Sequence, residues 1–141
     1  MRPPSPACIV FASVLSVGCQ SISEARDPCN EYYSSVGDQI SLQTQPLFLW
    51  FQAVKLGDSE QLECVFSRQQ IDKFNGEDWG NLLHQYQKVS AHDFGDYQLE
   101  DLVFEYRGGS NSGEVMVVHN GNNYGAIKVV KEGSLWKVDE H

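Results

Sequence analysis

The 141-residue sequence lacks the short motifs that mark several common classes of enzyme. It contains no HExxH, CxxC, GxSxG or GxGxxG pattern and no phosphate-binding P-loop. Such patterns supply zinc ligands, redox-active thiols, an activated serine or a nucleotide-binding backbone. Their absence argues against zinc proteases, thiol oxidoreductases, serine hydrolases of the nucleophile-elbow type and nucleotide-binding enzymes.

Basic residues are also scarce. The sequence has 10 Lys and Arg against 19 Asp and Glu, a formal net charge of −9, and its basic residues form no cluster. Because such a surface repels phosphate backbones, we exclude nucleic acid as a partner. The content of 41% hydrophobic and 21% charged residues is typical of a globular domain rather than a disordered chain. We predict one main domain and no cofactor.

The N-terminus has the composition of an export signal. Arg2 is the only charged side chain before Glu24, and residues 7–18 form an apolar run. As a helix rising about 1.5 Å per residue, this run is too short to cross a hydrocarbon core of about 30 Å. It has the length of the apolar region of a signal peptide. We therefore predict that residues 1–18 are a signal peptide and that the mature protein is exported.

The end of this run resembles the lipobox of bacterial lipoproteins, in which small residues precede a cysteine. Its sequence is Leu15-Ser16-Val17-Gly18-Cys19. The resemblance implies that Cys19 is lipidated, with acyl chains such as palmitate anchoring the protein to a membrane. Gln20, in place of Asp, implies the outer membrane, and therefore the periplasm or the cell surface. The alternative is an ordinary signal peptide cleaved nearby, with Cys19 as a plain thiol.

Two further cysteines remain if Cys8 leaves with the signal peptide and Cys19 carries lipid. Cys29 and Cys64 are then an even pair in an oxidising compartment, which favours a disulfide bond. The bond would close a loop of about 35 residues and stabilise the fold by roughly 3–4 kcal/mol. Two unpaired thiols are the alternative, because the sequence does not show whether the Cα atoms come within range.

Residues 19–43 are mostly polar and are predicted to be a tether, and the domain is predicted to span residues 44–141. The far end of the tether stays open, because Tyr32, Tyr33, Val36 and Ile40 could begin a helix.

The first part of the domain has helical periodicity, with a glycine and an aspartate, Gly57 and Asp58, ending one helix and starting the next. Apolar residues at positions i, i+3, i+4 and i+7 mark the first and third helices. They are Leu47, Trp50, Phe51 and Val54 in the first helix, and Trp79, Leu82, Leu83 and Tyr86 in the third. The second helix begins at Asp58, and Leu62, Val65 and Phe66 form its apolar face.

After Lys88 the apolar period changes to two, which is typical of strands. Strands are expected near residues 89–94, 102–107, 115–119, 124–130 and 135–138, with a hairpin turn at 120–123. Helices followed by an antiparallel meander indicate an α+β fold. We predict about three N-terminal helices packed on a curved antiparallel sheet of four to five strands.

Two segments resemble the NTF2-like superfamily, and in particular the small NTF2-like lipoproteins of bacteria. They are the helix–helix step Ala53-Val54-Lys55-Leu56-Gly57-Asp58 and the closing strand Gly133-Ser134-Leu135-Trp136-Lys137-Val138. The resemblance covers roughly residues 44–141. It implies a cone whose helices and sheet enclose a pocket, which different members use for catalysis, ligand binding or dimerisation. Fold analogy alone assigns no reaction.

Aromatic residues are the candidates for the lining of such a pocket, since large rings with a few polar tips suit an apolar ligand. The predicted lining is Trp50, Phe51, Tyr86, Phe104, Tyr106 and Trp136, and Tyr124 is a further candidate. The alternative is that these rings fill the pocket.

No catalytic residue is assigned. One acid–base pair, His119 with Tyr106, is kept as an alternative because both lie on neighbouring predicted strands. His92, Asp93 and Asp96 are not assigned as a metal site. On a strand His92 and Asp93 would point to opposite faces, whereas zinc needs converging ligands.

The predicted function is that of a cell-envelope lipoprotein whose domain binds a small apolar ligand or an envelope protein without catalysis. One alternative is an enzyme using the cone pocket, as the resemblance to ketosteroid isomerases and scytalone dehydratases implies. Another is a structural accessory that forms a homodimer through its sheet.

Overall fold

The computed structural model describes residues 27–140. The signal peptide predicted at 1–18, lipidation of Cys19 and the first part of the tether lie outside the described residues. Within residues 27–140 there are five α-helices and two short 3₁₀ helices, and none of these is long and apolar enough to cross a bilayer. The α-helices are α1 Pro28–Ser34, α2 Gln45–Leu56, α3 Ser59–Cys64, α4 Arg68–Phe74 and α5 Trp79–Phe94, and the 3₁₀ helices are Leu42–Thr44 and Leu99–Asp101.

The described strands form one open antiparallel sheet with the order β1-β2-β3-β4. They are β1 Leu102–Gly108, β2 Ser112–His119, β3 Asn122–Glu132 and β4 Leu135–Val138. The predicted α+β class is confirmed. The predicted hairpin turn is also confirmed, since Asn120 and Gly121 have φ values of 52° and 80°. Two consecutive positive φ values match the right-handed twist of the flanking strands.

The predicted step between the first two helices is confirmed in detail. Gly57 ends α2 with a φ of 75°, in the left-handed region that glycine enters without penalty. The Asp58 side chain accepts a hydrogen bond from the Gln61 amide at 3.0 Å and thereby caps α3. The Gln61 side chain donates to the Leu49 carbonyl at 2.9 Å. The step therefore fixes α3 against α2.

The strand predicted near residues 89–94 is wrong, because α5 continues through this segment to Phe94. Asp78 caps the helix by accepting a hydrogen bond from the Asn81 amide. Tyr86, Ser90 and Phe94 then recur at the four-residue spacing of one helix face. Helical periodicity thus extends beyond Lys88, and the helix ends at Gly95, whose φ is 67°. The described residues accordingly have four strands.

The second predicted helix is interrupted rather than continuous. Cys64 ends α3, and Ser67 begins α4 by accepting a hydrogen bond from the Gln70 amide at 3.0 Å. Between them Phe66 forms a parallel bridge with Val138, and the Ser67 amide donates to the Val138 carbonyl at 2.8 Å. Because these backbone groups bond to β4, they are not available to continue a helix.

The far end of the predicted tether, residues 32–43, belongs to the same compact unit as the predicted domain. This unit begins at Tyr32. Tyr33 and Val36 are buried in its core, and the Tyr33 hydroxyl donates to the Trp136 carbonyl at 2.6 Å. Tyr33 and Val36 are two of the apolar residues that leave the far end of the predicted tether open. Before the unit, Asp27 begins α1 by accepting a hydrogen bond from the Cys29 amide at 2.9 Å.

Candidate functional site

A cavity of about 250 Å³ lies between α2, α5 and the inner face of the sheet. Its lining is mostly apolar and rich in aromatic rings. The lining residues are Leu47, Trp50, Phe51, Phe66, Tyr86, Val89, Ser90, Asp93, Phe94, Val117, Tyr124, Ile127, Val138 and Glu140. The volume is below the roughly 300–1,000 Å³ typical of sites for drug-sized molecules. It suits a smaller ligand.

One face of α5 forms a wall of the cavity. Tyr86, Val89, Ser90, Asp93 and Phe94 lie at positions i, i+3, i+4, i+7 and i+8, the spacing that places side chains on one side of a helix. This face exists only because α5 continues beyond Lys88. The part of α5 that follows Lys88 therefore forms much of the site.

A β-bulge brings Tyr124 into the cavity. Val115 pairs with Ile127 but Val118 pairs with Asn123, so that Val117 lies opposite two residues, Tyr124 and Gly125. Gly125 has a φ of 109°, which is essentially accessible only to glycine. The extra residue changes the alternation along β3 and directs both Tyr124 and Ile127 towards the inner face. The Tyr124 ring lies 4.5 Å from the Phe94 ring, measured between centroids.

Edge-to-face aromatic contacts hold the helical walls together. The Trp50 ring lies 4.7 Å from the Phe51 ring and 5.0 Å from the Tyr86 ring, in both cases near-perpendicular. Phe51 contacts Phe94 in the same way at 5.5 Å. Such contacts stabilise a pair by about 0.5–1.5 kcal/mol beyond the area that it buries. The rings are thus held in place by each other as well as by their helices.

Tyr86 adds a polar group to this aromatic wall. Burial raises the pKa of its phenol above the usual value, so the hydroxyl is protonated at neutral pH. It forms no hydrogen bond with any residue in 27–140. Tyr86 can therefore hydrogen-bond to a ligand, but it is not poised to act as a base.

The charged groups of the lining are two carboxylates, Asp93 and Glu140, both on exposed residues. Asp93 Oδ1 lies 3.1 Å from Nδ1 of His92, an exposed residue outside the lining. Glu140 Oε1 accepts a hydrogen bond from the Lys128 amide at 2.9 Å. The lining has no Lys, Arg or His. Val89 and Tyr124 are also substantially exposed, which places the opening of the cavity on their side.

Three of the six aromatic residues predicted to line a pocket do line this cavity: Trp50, Phe51 and Tyr86. The structure places the other three in packed parts of the core. The Phe104 ring lies 5.8 Å from the Phe51 ring, and the Tyr106 ring lies 5.5 Å from the Trp136 ring. The part of the core around Trp136 is therefore filled by side chains.

His119 and Tyr106 are not brought together. His119 pairs with Leu102 and Tyr106 pairs with Val115, so the two residues are four positions apart along the β1–β2 ladder, about 13 Å. The Tyr106 hydroxyl lies 2.5 Å and 2.9 Å from the carbonyl oxygens of Gly109 and Ser112. His119 is buried with its ring 5.4 Å from that of Phe94, and it does not line the cavity.

His92, Asp93 and Asp96 lie at or just after the C-terminal end of α5. His92 and Asp96 are strongly exposed, with side chains 89% and 95% accessible, and Asp96 lies 3.9 Å from Lys55 Nζ. No group of three or more His, Cys, Asp or Glu side chains in residues 27–140 is arranged to hold a metal ion.

Sequence reasoning missed Phe94 and named Tyr124 only as a further aromatic candidate. The signal for Phe94 was its spacing of eight residues from Tyr86, whereas Tyr124 depends on a bulge that strict alternation does not predict. In comparisons with known proteins, no family model, no curated protein and no solved structure matches this chain. Its function must therefore be inferred from the cavity itself.

Proposed function

We propose that the domain binds a small apolar ligand in the cavity between α2, α5 and the sheet. The observation that carries this proposal is an aromatic-lined space of about 250 Å³ with an opening to solvent. An engineered apolar cavity of about 150 Å³ binds benzene. The volume here corresponds to roughly eight water molecules at about 30 Å³ each. A single ring with a short substituent is therefore the ligand size that fits.

Ligand binding is physically favourable at such a site. Side chains around an empty space lack partner atoms on one side and lose dispersion contacts, which a ligand restores. Removal of the ligand's apolar surface from water adds about 25 cal/mol per Å². Side chains held by mutual ring contacts lose little freedom when the ligand enters, so less of the binding energy is spent on ordering.

The site supports binding better than catalysis. Its carboxylates belong to exposed residues, whereas a general base for an isomerase would be desolvated within the pocket. The alternative pair His119 and Tyr106 is separated along the sheet. Sheet-mediated dimerisation is also less well supported, because strand alternation directs charged residues to the outer face. They are Glu105, Arg107, Glu114 and Lys128.

We further propose that the fold is an NTF2-like cone. Helices on one face of an antiparallel sheet, a cavity between helices and sheet, and the Gly57–Asp58 step between α2 and α3 support this assignment. The resemblance in sequence remains its main basis. It explains why the cavity lies at the inner face of the sheet.

The proposed function predicts that 2-phenylethanol binds with a dissociation constant of roughly 0.1–1 mM. A cavity-filling variant, Val117→Phe, should weaken binding at least tenfold, because Val117 is buried and lines the cavity from β2. Val118→Phe is the matched control, since the next residue on the strand faces the opposite side of the sheet. Two-dimensional NMR titrations measure both the affinity and the residues whose signals shift.

The native protein should show shifts at Trp50, Tyr86 and Ile127, and Val118→Phe should bind like the native protein. Ile127→Phe provides a second filling variant if Val117→Phe does not fold, which circular dichroism would show. If the native protein does not bind 2-phenylethanol, or if a folded filling variant binds as tightly as the native protein, the cavity is not a ligand site.

We also propose that the protein is exported and anchored to the cell envelope by lipid on Cys19. The support is the apolar run at residues 7–18 and the lipobox resemblance that follows it. We expect the mature chain to begin at Cys19 with a mass increased by acyl groups, and Cys19→Ala to abolish that increase. Intact-mass spectrometry of membrane-extracted protein measures this. An unmodified Cys19, or a different first residue, would contradict the proposal.

A further inference from the structure

The charge of the cavity lining narrows the class of ligand. Asp93 and Glu140 are the ionisable carboxylates of the lining, and no Lys, Arg or His lies among the lining residues. One oxygen of Asp93 contacts His92, and one oxygen of Glu140 accepts a hydrogen bond from the Lys128 amide. The second oxygen of each has no partner within residues 27–140. The site thus offers negative charge and no positive charge.

The aromatic lining also favours a positively charged ligand over a negatively charged one. The faces of Trp and Tyr rings carry negative electrostatic potential and attract cations, most strongly in the case of Trp. Trp50 and Tyr86 are in contact at 5.0 Å between centroids, and both line the cavity. An ammonium group in this cavity would lie among aromatic rings and two carboxylates, whereas a ligand carboxylate would meet two like charges.

We propose that the ligand is an apolar amine, a single ring or short hydrocarbon chain that carries one ammonium group. The hydrocarbon part occupies the space between Trp50, Phe51 and Ile127, and the ammonium group lies towards Asp93. This inference rests on the proposed function, because it concerns the same cavity. Fatty acids and other apolar anions are excluded by the same charges.

The test compares three ligands that share a phenyl ring and a short chain: 2-phenylethylammonium, 2-phenylethanol and phenylacetate. We expect the ammonium compound to bind about tenfold more tightly than the alcohol and phenylacetate to bind at least tenfold more weakly. Isothermal titration calorimetry at low and high salt measures the three affinities. The preference for the ammonium compound over the other two should decrease as the salt concentration increases, because the carboxylates are accessible to solvent.

The variant Asp93→Asn tests whether the Asp93 carboxylate produces the preference for the ammonium compound. We expect it to weaken binding of 2-phenylethylammonium three- to tenfold, a larger factor than its effect on binding of 2-phenylethanol. Asp96→Asn is the matched control, since it removes the same charge three residues away, from a side chain that is 95% exposed and outside the lining. Asp96→Asn should change neither the affinity for 2-phenylethylammonium nor the affinity for 2-phenylethanol.

The outcomes separate the two proposals. If none of the three compounds binds, the proposed function fails and the inference fails with it. If the alcohol binds but the ammonium compound binds no more tightly, the cavity is a ligand site without a preference for amines, and only this inference is overturned. Equal effects of Asp93→Asn and Asp96→Asn would show that net charge, rather than Asp93, produces the preference, and would also overturn it.

Discussion

Phe51→Ala should lower the free energy of unfolding by about 3–5 kcal/mol, the range for truncation of a buried phenylalanine. Phe51 is 3% exposed, and its ring contacts the rings of Trp50, Phe94 and Tyr97. Removal of the ring would eliminate these contacts and merge the space it leaves with the existing cavity. The surrounding helices have limited freedom to close that space, because Trp50, Phe94 and Tyr97 are themselves packed in the same aromatic cluster.

The decrease caused by Phe51→Ala would be a large share of the total free energy of unfolding, since domains of this size are stable by only about 5–15 kcal/mol. Urea denaturation followed by circular dichroism measures it as a lower midpoint. Leu56→Ala on the same helix is the control, because Leu56 is 70% exposed and its truncation should change stability by less than about 0.5 kcal/mol. A loss below about 1 kcal/mol for Phe51→Ala would contradict the described core.

The same ring connects the stability of the domain with its proposed function. Phe51 contributes to the cavity wall and also contacts Phe104 in the packed part of the core at 5.8 Å. The cavity therefore shares side chains with the core rather than being a separate surface feature. Variants of Phe51 would change both stability and ligand affinity, which is why the binding tests use residues whose enlargement fills space.

The parts of this fold that the sequence predicts are those with local signals. Gly57 and Asp58 mark a helix boundary because one residue accepts positive φ and the other accepts a hydrogen bond from a helix amide. Asn120 and Gly121 mark a hairpin for the related reason that both tolerate positive φ. Each signal is contained within a few consecutive residues.

Several other features of the structure depend on contacts distant in sequence. Phe66 leaves the helical conformation because its segment bonds to β4, about seventy residues later. Tyr33 is buried because its hydroxyl reaches the Trp136 carbonyl. Tyr124 enters the cavity because the register between β2 and β3 shifts by one residue. Local patterns do not contain this information. Of the six aromatic residues predicted to line a pocket, three line the cavity.

Loss of the disulfide bond is the second large effect that we expect. Cys29 and Cys64 are both disulfide-bonded in the structure. Their pairing with each other remains a prediction from the sequence. With a closed loop of about 35 residues, removal of the bond should lower the free energy of unfolding by roughly 3–4 kcal/mol, because the unfolded chain gains conformational freedom.

A double-mutant comparison tests the pairing directly. If the two cysteines are bonded to each other, Cys29→Ser removes the whole stabilisation, and the double variant Cys29→Ser/Cys64→Ser loses only the packing contribution of the buried Cys64 in addition. Reductant should then destabilise the native protein but not Cys29→Ser, as measured by urea denaturation with and without dithiothreitol. Additive losses of similar size from the two single variants, or a Cys29→Ser protein that reductant still destabilises, would show that these cysteines do not form one shared bond.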